Sequence, residues 1–268
     1  MLLGFKTELK LNNKQRTALA RHAGVARHAW NWGLGLSKQI LDHNKLNPNE
    51  KISFPSAIDL HKWLVALVKP EYPWYYEVSK CAPQYALRQL REAWDRCFKK
   101  VSGVPKFKKK GKSDSFTLDG SNRIFPIKNH AIRVPIIGWL RTYERLPQVP
   151  VKYVTISRKA DHWFISFKME VESSSSSVGE PVGVDLGLLR FATVSNNLEI
   201  DSPRPFKALQ KRLAKLQYHN RNKVIGSSNW RLAQIKIAQL HNHIASVRKD
   251  FIHKVTSLLA LVPQQYCD

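Results

Sequence analysis

The beginning of the chain has the apolar spacing of a strand and then of a helix. Residues 3–11 are typical of a short strand, and Asn12 or Asn13 can cap the helix that follows. In that helix the apolar residues recur at spacings of three and four: Leu19, Ala23, Ala26, Trp30 and Leu34. Such spacing places them on one face, so the sequence predicts a strand followed by an amphipathic helix.

Helical periodicity continues to about residue 100, with interruptions. A polar loop is predicted for 42–56, and more helix for about 57–68. Residues 70–76 contain two prolines and interrupt it, after which a clear helix is predicted for about 80–100. One face of this helix carries Leu87, Leu90, Trp94 and Phe98, and its other faces carry Arg88, Arg91, Arg96, Lys99 and Lys100.

Between residues 104 and 172 the pattern is that of strands punctuated by prolines. The clearest element is a hairpin, with strands at 152–158 and 162–171 joined by a turn at 159–161. On its second strand the alternate positions are apolar: Trp163, Ile165, Phe167, Met169 and Val171. These side chains point to the same face of the predicted sheet.

Five serines at 173–177 predict a linker and a domain boundary. Three short strands are predicted between 182 and 200, followed by helices at about 205–222 and 228–261. The apolar positions of these helices are Leu209, Leu213 and Leu216, and then Leu240, Ile244, Val247, Phe251, Val255 and Leu258.

Charge narrows the range of functions. Among 268 residues, 44 Lys and Arg face 20 Asp and Glu, which gives a net charge of +24. Such an excess favours a protein that binds a polyanion, most commonly nucleic acid. The alternatives are a protein that binds a membrane surface and a basic protein that has no particular partner. The sequence shows neither a membrane span nor a signal peptide, so a cytoplasmic location is expected.

The spacing of the cysteines indicates no metal site. Cys81, Cys97 and Cys267 are far apart and form no C-x-x-C pair, so neither a zinc ribbon nor a disulfide framework is predicted.

Two basic segments are candidate nucleic-acid contacts. The first contains five lysines around Phe107: Lys106, Lys108, Lys109, Lys110 and Lys112. This segment is either a solvated surface loop or a loop that binds phosphate groups. The second is residues 203–268, where twelve Lys and Arg face only Asp250 and Asp268. Its candidate contacts are Lys207, Lys211, Lys215, Arg231, Arg248 and Lys249.

Asp185 is the candidate catalytic residue. It lies in Gly183-Val-Asp-Leu-Gly187, where a predicted strand delivers one carboxylate and Gly187 lets the chain turn back. An aspartate on the first strand of a meander suits a metal-dependent nuclease of the RNase H type, which needs several carboxylates around two divalent ions. A turn residue that caps a hairpin is the alternative interpretation.

Several segments, taken in order, resemble the TnpB (OrfB) family of transposon-encoded, RNA-guided nucleases, which are related to the type V CRISPR effectors. The resemblance extends to about residue 255. It rests on residues 5–9 with Lys14-Gln15, on 30–34, 72–74, 105–111 and 114–117, on 154–158 and 163–167, and most strongly on 183–188 with 191–193 and on 244–254.

The resemblance implies an α+β protein. It implies a wedge-type β-barrel from 1–11 and 101–172, with a helical recognition lobe, 12–100, inserted into it. A Ser-rich linker, 173–180, would lead to an RNase H-like (RuvC) domain at 181–268. Asp185 would be the first catalytic carboxylate and hold Mg²⁺. The basic surfaces would hold a guide RNA and its duplex with target DNA, in the prokaryotic cytoplasm at the nucleoid.

The sequence also departs from the family pattern. The second catalytic residue (a Glu), the four-cysteine zinc ribbon and the last catalytic Asp are absent, and residues 263–268 resemble an off-frame ending. After Asp185 the only acids are Glu199, Asp201, Asp250 and Asp268. The expectation is therefore a truncated, cleavage-deficient member, to which a separately encoded C-terminal RuvC fragment could restore activity. A nuclease-dead RNA- or DNA-binding module and a decayed transposon remnant are the alternatives.

Overall fold

The computed structural model describes residues 2–112, 114–120, 125–170 and 182–261, the side chain of Leu261 excepted. It separates the chain into two compact units, 1–172 and 173–268. The serine-rich linker predicted for 173–180 lies outside the described residues, as does the ending at 263–268. The fold is mixed α+β. No helix within the described ranges is both long and apolar enough to cross a membrane.

The first unit contains one antiparallel sheet of seven strands. They are β1 (Leu2–Lys10), β2 (Ser115–Asp119), β3 (Ile127–Lys128), β4 (Ala131–Val134), β5 (Gly138–Thr142), β6 (Tyr153–Lys159) and β7 (His162–Glu170), in the order β2-β6-β7-β1-β5-β4-β3. The first strand of the chain lies inside the sheet, since it pairs with β7 from Leu2 to Glu8 and with β5 at Leu9 and Lys10. No pairing between β2 and β3 closes the sheet in the part of the chain that is described, so the β-barrel remains a prediction.

The hairpin predicted near residue 160 is confirmed. Strands β6 and β7 pair from Lys159–His162 onwards, and Ala160 and Asp161 both have positive φ, 49° and 71°. Two successive residues of this conformation form the turn that matches the twist of a tight hairpin. Trp163, Ile165 and Phe167 are buried on one face as predicted, while Val171 lies outside the described residues.

The long helix α1 (Asn13–Leu46) begins where the sequence places its cap. The side chain of Asn12 accepts from the backbone N–H of Gln15 at 2.8 Å, and that of Gln15 accepts from the backbone N–H of Asn12 at 3.1 Å. The predicted loop at 42–56 is wrong for its first five residues, which are helical. Asn44 explains this, because from the last helical turns it bonds both the N–H and the C=O of Ile52, each at 2.8 Å.

The described part of the first unit has four further helical elements. They are α2 (Ala57–Trp63), continued by a π-helical turn (Leu64–Val68), a 3₁₀ turn (Pro73–Tyr75) and α3 (Cys81–Phe98). Gly33 allows α1 and α3 to approach closely, since a Cβ there would lie 2.8 Å from Leu87 and 3.0 Å from Leu90. Phe98, predicted on the apolar face of α3, is 49% exposed because it lies at the helix end, where it stacks on Trp94.

The second unit has a three-stranded sheet and two helices. Its strands are β8 (Val184–Leu186), β9 (Ala192–Val194) and β10 (Glu199–Ile200), in the order β10-β9-β8, and they precede α4 (Pro205–Arg221) and α5 (Ser228–Leu261). Ala192, Ile200 and Val255 form one small core between sheet and α5. Leu213, Leu240 and Ile244 form another between α4 and α5. The predicted order of elements is therefore present.

Candidate nucleic-acid interface and carboxylate site

The lysine-rich segment that follows Pro105 is fixed to helix α1. The indole Nε1 of Trp30 donates to the carbonyl of Lys106 at 3.1 Å. The side chain of Asn31 bonds both backbone groups of Lys108, as acceptor at 2.8 Å and as donor at 3.0 Å. Three hydrogen bonds thus hold the backbone in place, so this segment is not a loosely solvated loop.

The five predicted lysines of this segment do not share one environment. The ammonium of Lys108 lies 4.0 Å from the centre of the Trp30 ring, and burial lowers its pKa. Its side chain therefore packs on α1. The other four lysines, Lys106, Lys109, Lys110 and Lys112, are exposed and available to a phosphate backbone.

Asp114 anchors the end of the segment, and its role was missed in the sequence. It is 6% exposed, and its carboxylate lies 2.7 Å from Arg27 and 3.7 Å from Arg158. It also accepts from the backbone N–H of Gly111 at 3.1 Å. Its position as the single acid between a lysine run and a strand was the available signal. The arginines that neutralise it come from distant parts of the chain.

A groove of about 1040 Å³ lies between α3 and the sheet of the first unit. Its charged lining residues are Lys6, Arg88, Lys152 and Lys168, with Glu92 and Glu170. On its wall Gln89 donates to the Thr117 hydroxyl at 3.3 Å, and the Tyr85 hydroxyl donates to Asp119 at 3.1 Å. Burial, followed by the Asp119 carboxylate, raises the pKa of Tyr85 to about 12, so the phenol keeps its proton. Sequence patterns did not reveal this groove, because it is formed jointly by α3, four strands of the sheet and the loop before β6.

The basic residues predicted in the second unit are all exposed: Lys207, Lys211, Lys215, Arg231, Arg248 and Lys249. Two of them, Lys207 and Arg248, line one cavity of about 400 Å³ although they are far apart in the sequence. Lys211, Lys215, Arg231 and Lys249 do not line it.

Asp185 is exposed on β8, an edge strand of the small sheet, where it pairs with Thr193 of β9. The carbonyl of Gly183 accepts from the backbone N–H of Ser195 at 2.9 Å, which fixes the start of the strand. Gly187 makes a close approach, since a Cβ there would lie 3.0 Å from the carbonyl oxygen of Arg190. The fold thus presents the carboxylate to solvent at the beginning of a tight turn.

Among the described residues, the other acids of this unit do not complete a metal site around Asp185. Glu199 forms an ion pair with Arg190, and Asp250 lies 2.8 Å from Lys254. Within the described ranges, no group of three His, Cys, Asp or Glu side chains could hold a metal ion. The described residues therefore do not fit a pair of magnesium ions, which several carboxylates must coordinate.

Two sequence families match the chain. A family described as "Probable transposase" (OrfB, IS605 type) matches residues 164–264, and one described as "Helix-turn-helix domain" matches residues 1–45. In this structure residues 2–45 form strand β1 and a single long helix.

Relatives agree with these matches. "Putative RNA-guided DNA endonuclease InsQ" of Escherichia coli (strain K12) is 32% identical over 97% of this chain and 63% of its own length. A Streptomyces pristinaespiralis protein named "Putative RNA-guided DNA endonuclease" is 29% identical over 95% of this chain and 63% of its own length. The chain thus spans about 63% of the length of these relatives.

Among solved structures, a Cas12f1–sgRNA–target DNA complex has a similar fold. The TM-score is 0.50 at 14% identity, over 91% of this chain and 62% of that one. This likeness shows the fold alone, whereas the sequence matches are to proteins of the OrfB (IS605) transposase type. Together the sequence matches support a member of the TnpB (OrfB) family.

Proposed function

We propose that this chain is an RNA-guided nucleic-acid-binding protein, which holds a guide RNA and its duplex with target DNA. The observation that carries the proposal is the exposure of its basic residues. Four lysines of the 106–112 segment and six basic residues of α4 and α5 face solvent in a chain of net charge +24. The relatives named as RNA-guided DNA endonucleases support the same function. In such systems base pairing reads the sequence, and the protein holds the backbone.

The domain organisation of the chain is part of this proposal. Strand β1 lies between β7 and β5, so the helices between residues 13 and 98 are inserted into a single sheet. This supports a wedge domain, 1–11 and 101–172, with a helical recognition lobe, 12–100. The linker, 173–180, and a RuvC-like domain, 181–268, complete the proposed organisation. The groove beside α3 gives the wedge a basic surface for nucleic acid.

A second candidate function, DNA cleavage, is favoured by one observation. Asp185 is exposed on an edge strand, which suits a ligand of Mg²⁺. Since no group of three metal-ligating side chains is found among the described residues, we propose that cleavage needs carboxylates from outside them, such as those of a separately encoded RuvC fragment. For the chain by itself we propose binding without cleavage.

The test of the binding function is the salt dependence of affinity for a hairpin RNA. Neutralising Lys106, Lys109, Lys110 and Lys112 with Gln should reduce the slope of log affinity against log salt. Each lost phosphate contact contributes about 0.7–0.9 to that slope. The matched control neutralises four exposed lysines outside the proposed surface: Lys14, Lys45, Lys51 and Lys62. Equal slopes for the two variants would contradict a contact at the 106–112 segment.

A further inference from the structure

The 400 Å³ cavity of the second unit combines positive charge with aromatic rings. Arg204, Lys207 and Arg248 line it together with Phe191, Phe206 and Phe251. Its volume is within the usual range of small-ligand pockets, about 300–1,000 Å³. Phe191 immediately precedes β9, residues 204–207 lie at the start of α4, and Arg248 and Phe251 lie on α5.

The cavity carries uncompensated positive charge. None of the described residues that line it is acidic. Among the ion pairs of the described residues, none involves its three cations. Arg204 donates from Nη2 to the carbonyl of Leu189 at 2.8 Å, which fixes one end of a guanidinium that has five N–H donors. Such a site is electrostatically complementary to a phosphate group.

The backbone at Arg204 supports a functional role. This residue has φ 40° and ψ 50°, the left-handed conformation that non-glycine residues rarely adopt. A strained residue at the wall of a charged cavity is characteristic of a binding site, because the surrounding structure must maintain it.

The aromatic lining combines two packed rings with one exposed ring. Phe191 and Phe251 pack edge to face, with ring centres 4.9 Å apart, and lie against the small core of the sheet. Phe206 is 42% exposed. An exposed ring beside cations that have no carboxylate partner is the combination on which nucleic-acid bases stack while their phosphates are held.

We propose that this cavity binds one unpaired nucleotide, with its base on Phe206 and its phosphate between Lys207 and Arg248. This inference rests on the proposed binding function and specifies one of its contacts. A paired base is stacked inside its duplex and cannot enter a cavity of this size. The occupant is therefore a nucleotide from a single-stranded, bulged or terminal position.

The first test compares two exposed aromatic residues of α4. The probes are a short oligouridylate, whose bases stack weakly on one another, and an RNA duplex of equal length. Phe206→Ala should weaken oligouridylate binding about tenfold, the effect of losing one stacked base, and leave duplex affinity unchanged. The control is Tyr218→Ala, since Tyr218 is 57% exposed and does not line the cavity. It should leave the ratio of the two affinities unchanged.

The second test holds the charge change constant. Lys207→Gln with Arg248→Gln removes two cavity cations, and Lys211→Gln with Lys249→Gln removes two cations from the same helices outside it. Both double variants should lose general electrostatic affinity. Only the cavity variant should lose more affinity for oligouridylate than for the duplex.

The outcomes separate this inference from the function on which it rests. Failure of the native chain to bind either RNA would overturn the proposed function. If both RNAs bind but Phe206→Ala and the cavity charge variant keep the native ratio of affinities, the nucleotide pocket alone is wrong. Competition by oligoglutamate as strong as that by oligouridylate would also overturn the pocket, because the cavity would then accept any polyanion.

Discussion

Two aspartates show how differently the two units use charge. In the first unit Asp114 is buried between Arg27 and Arg158, and it secures a segment of lysines to the core. In the second unit Asp185 is exposed on an edge strand, and the described carboxylates do not gather around it. An acid of the first kind stabilises a fold, whereas one of the second kind is available to a ligand.

The hydrophobic cores of the two units also differ, the core of the first unit being larger. One continuous core of the first unit joins α1 and α3 to the sheet, with Leu19, Leu90 and Ile165 fully buried. The described part of the second unit has two clusters of three buried residues each. We infer that the first unit is the stable scaffold, and that in the second unit much of the surface remains for binding.

The largest expected effect is on this difference in stability. Leu90→Ala should lower the free energy of unfolding of the first unit by about 3–5 kcal/mol, because it leaves a cavity in a filled core. Leu240→Ala, in the small cluster of the second unit, should cost about 1–2 kcal/mol, since fewer side chains surround it. Hydrogen exchange by mass spectrometry, read in α3 and α5, measures both.

Hydrogen exchange of the native chain also tests whether the two units differ in stability. Amides of α5 should exchange faster than those of α3, and protease should digest the second unit first. Equal protection of the two helices, together with equal costs for the two Leu→Ala variants, would show that the units do not differ in stability.

Asp114 should have the next largest effect. Asp114→Asn removes the carboxylate that pairs with Arg27, while Arg158 keeps its ion pair with Asp161. We expect a loss of about 2–3 kcal/mol in the free energy of unfolding. Asp42→Asn is the matched control, because the pair of Asp42 and Lys45 is exposed and should contribute less than about 1 kcal/mol. Urea titration followed by circular dichroism measures both. Equivalent small losses would mean that Asp114 is not a structural anchor.

A smaller effect should appear on acidification of the first unit. His22 is 1% exposed, and burial lowers its pKa, although its contact with the carbonyl of Ala18 opposes this. Its Nε2 accepts from the backbone N–H of Ser79 at 3.1 Å, so Nδ1 carries the proton and donates to Ala18 at 2.8 Å.

The sign of this pH effect follows from the lowered pKa. The unfolded chain binds a proton at His22 more readily than the folded chain, so stability is complete above about pH 6.5 and falls as the pH drops below it. His22→Gln should remove part of this loss between pH 7.5 and 5.5, as measured by urea titration. An unchanged pH dependence in the variant would exclude His22 as its source.

Local sequence patterns predicted most of the elements but few of the contacts between them. The cap at Asn12, the buried face of α1 and the hairpin at 160 depend on neighbours close in sequence, and all three were predictable. The Asp114 cluster and the groove beside α3 bring together residues from several elements, so no periodicity reveals them. Likewise, the lysine run predicted five exposed cations, but Lys108 packs on Trp30 because a tryptophan far away in sequence lies beneath it.

The smallest expected effect concerns Asp185. Its carboxylate is exposed, so Asp185→Asn should change the free energy of unfolding by less than about 0.5 kcal/mol and leave RNA affinity unaltered. The decisive measurement is incubation of native chain and variant with guide RNA, Mg²⁺ and complementary DNA. Neither should cleave, because the described residues hold no group of carboxylates that could position two metal ions. Cleavage by the native chain that is lost in the variant would mean that Glu199, Asp201 or Asp250 completes the site. Cleavage that appears only after addition of a polypeptide with the remaining carboxylates, and only with native Asp185, would establish this aspartate as a metal ligand.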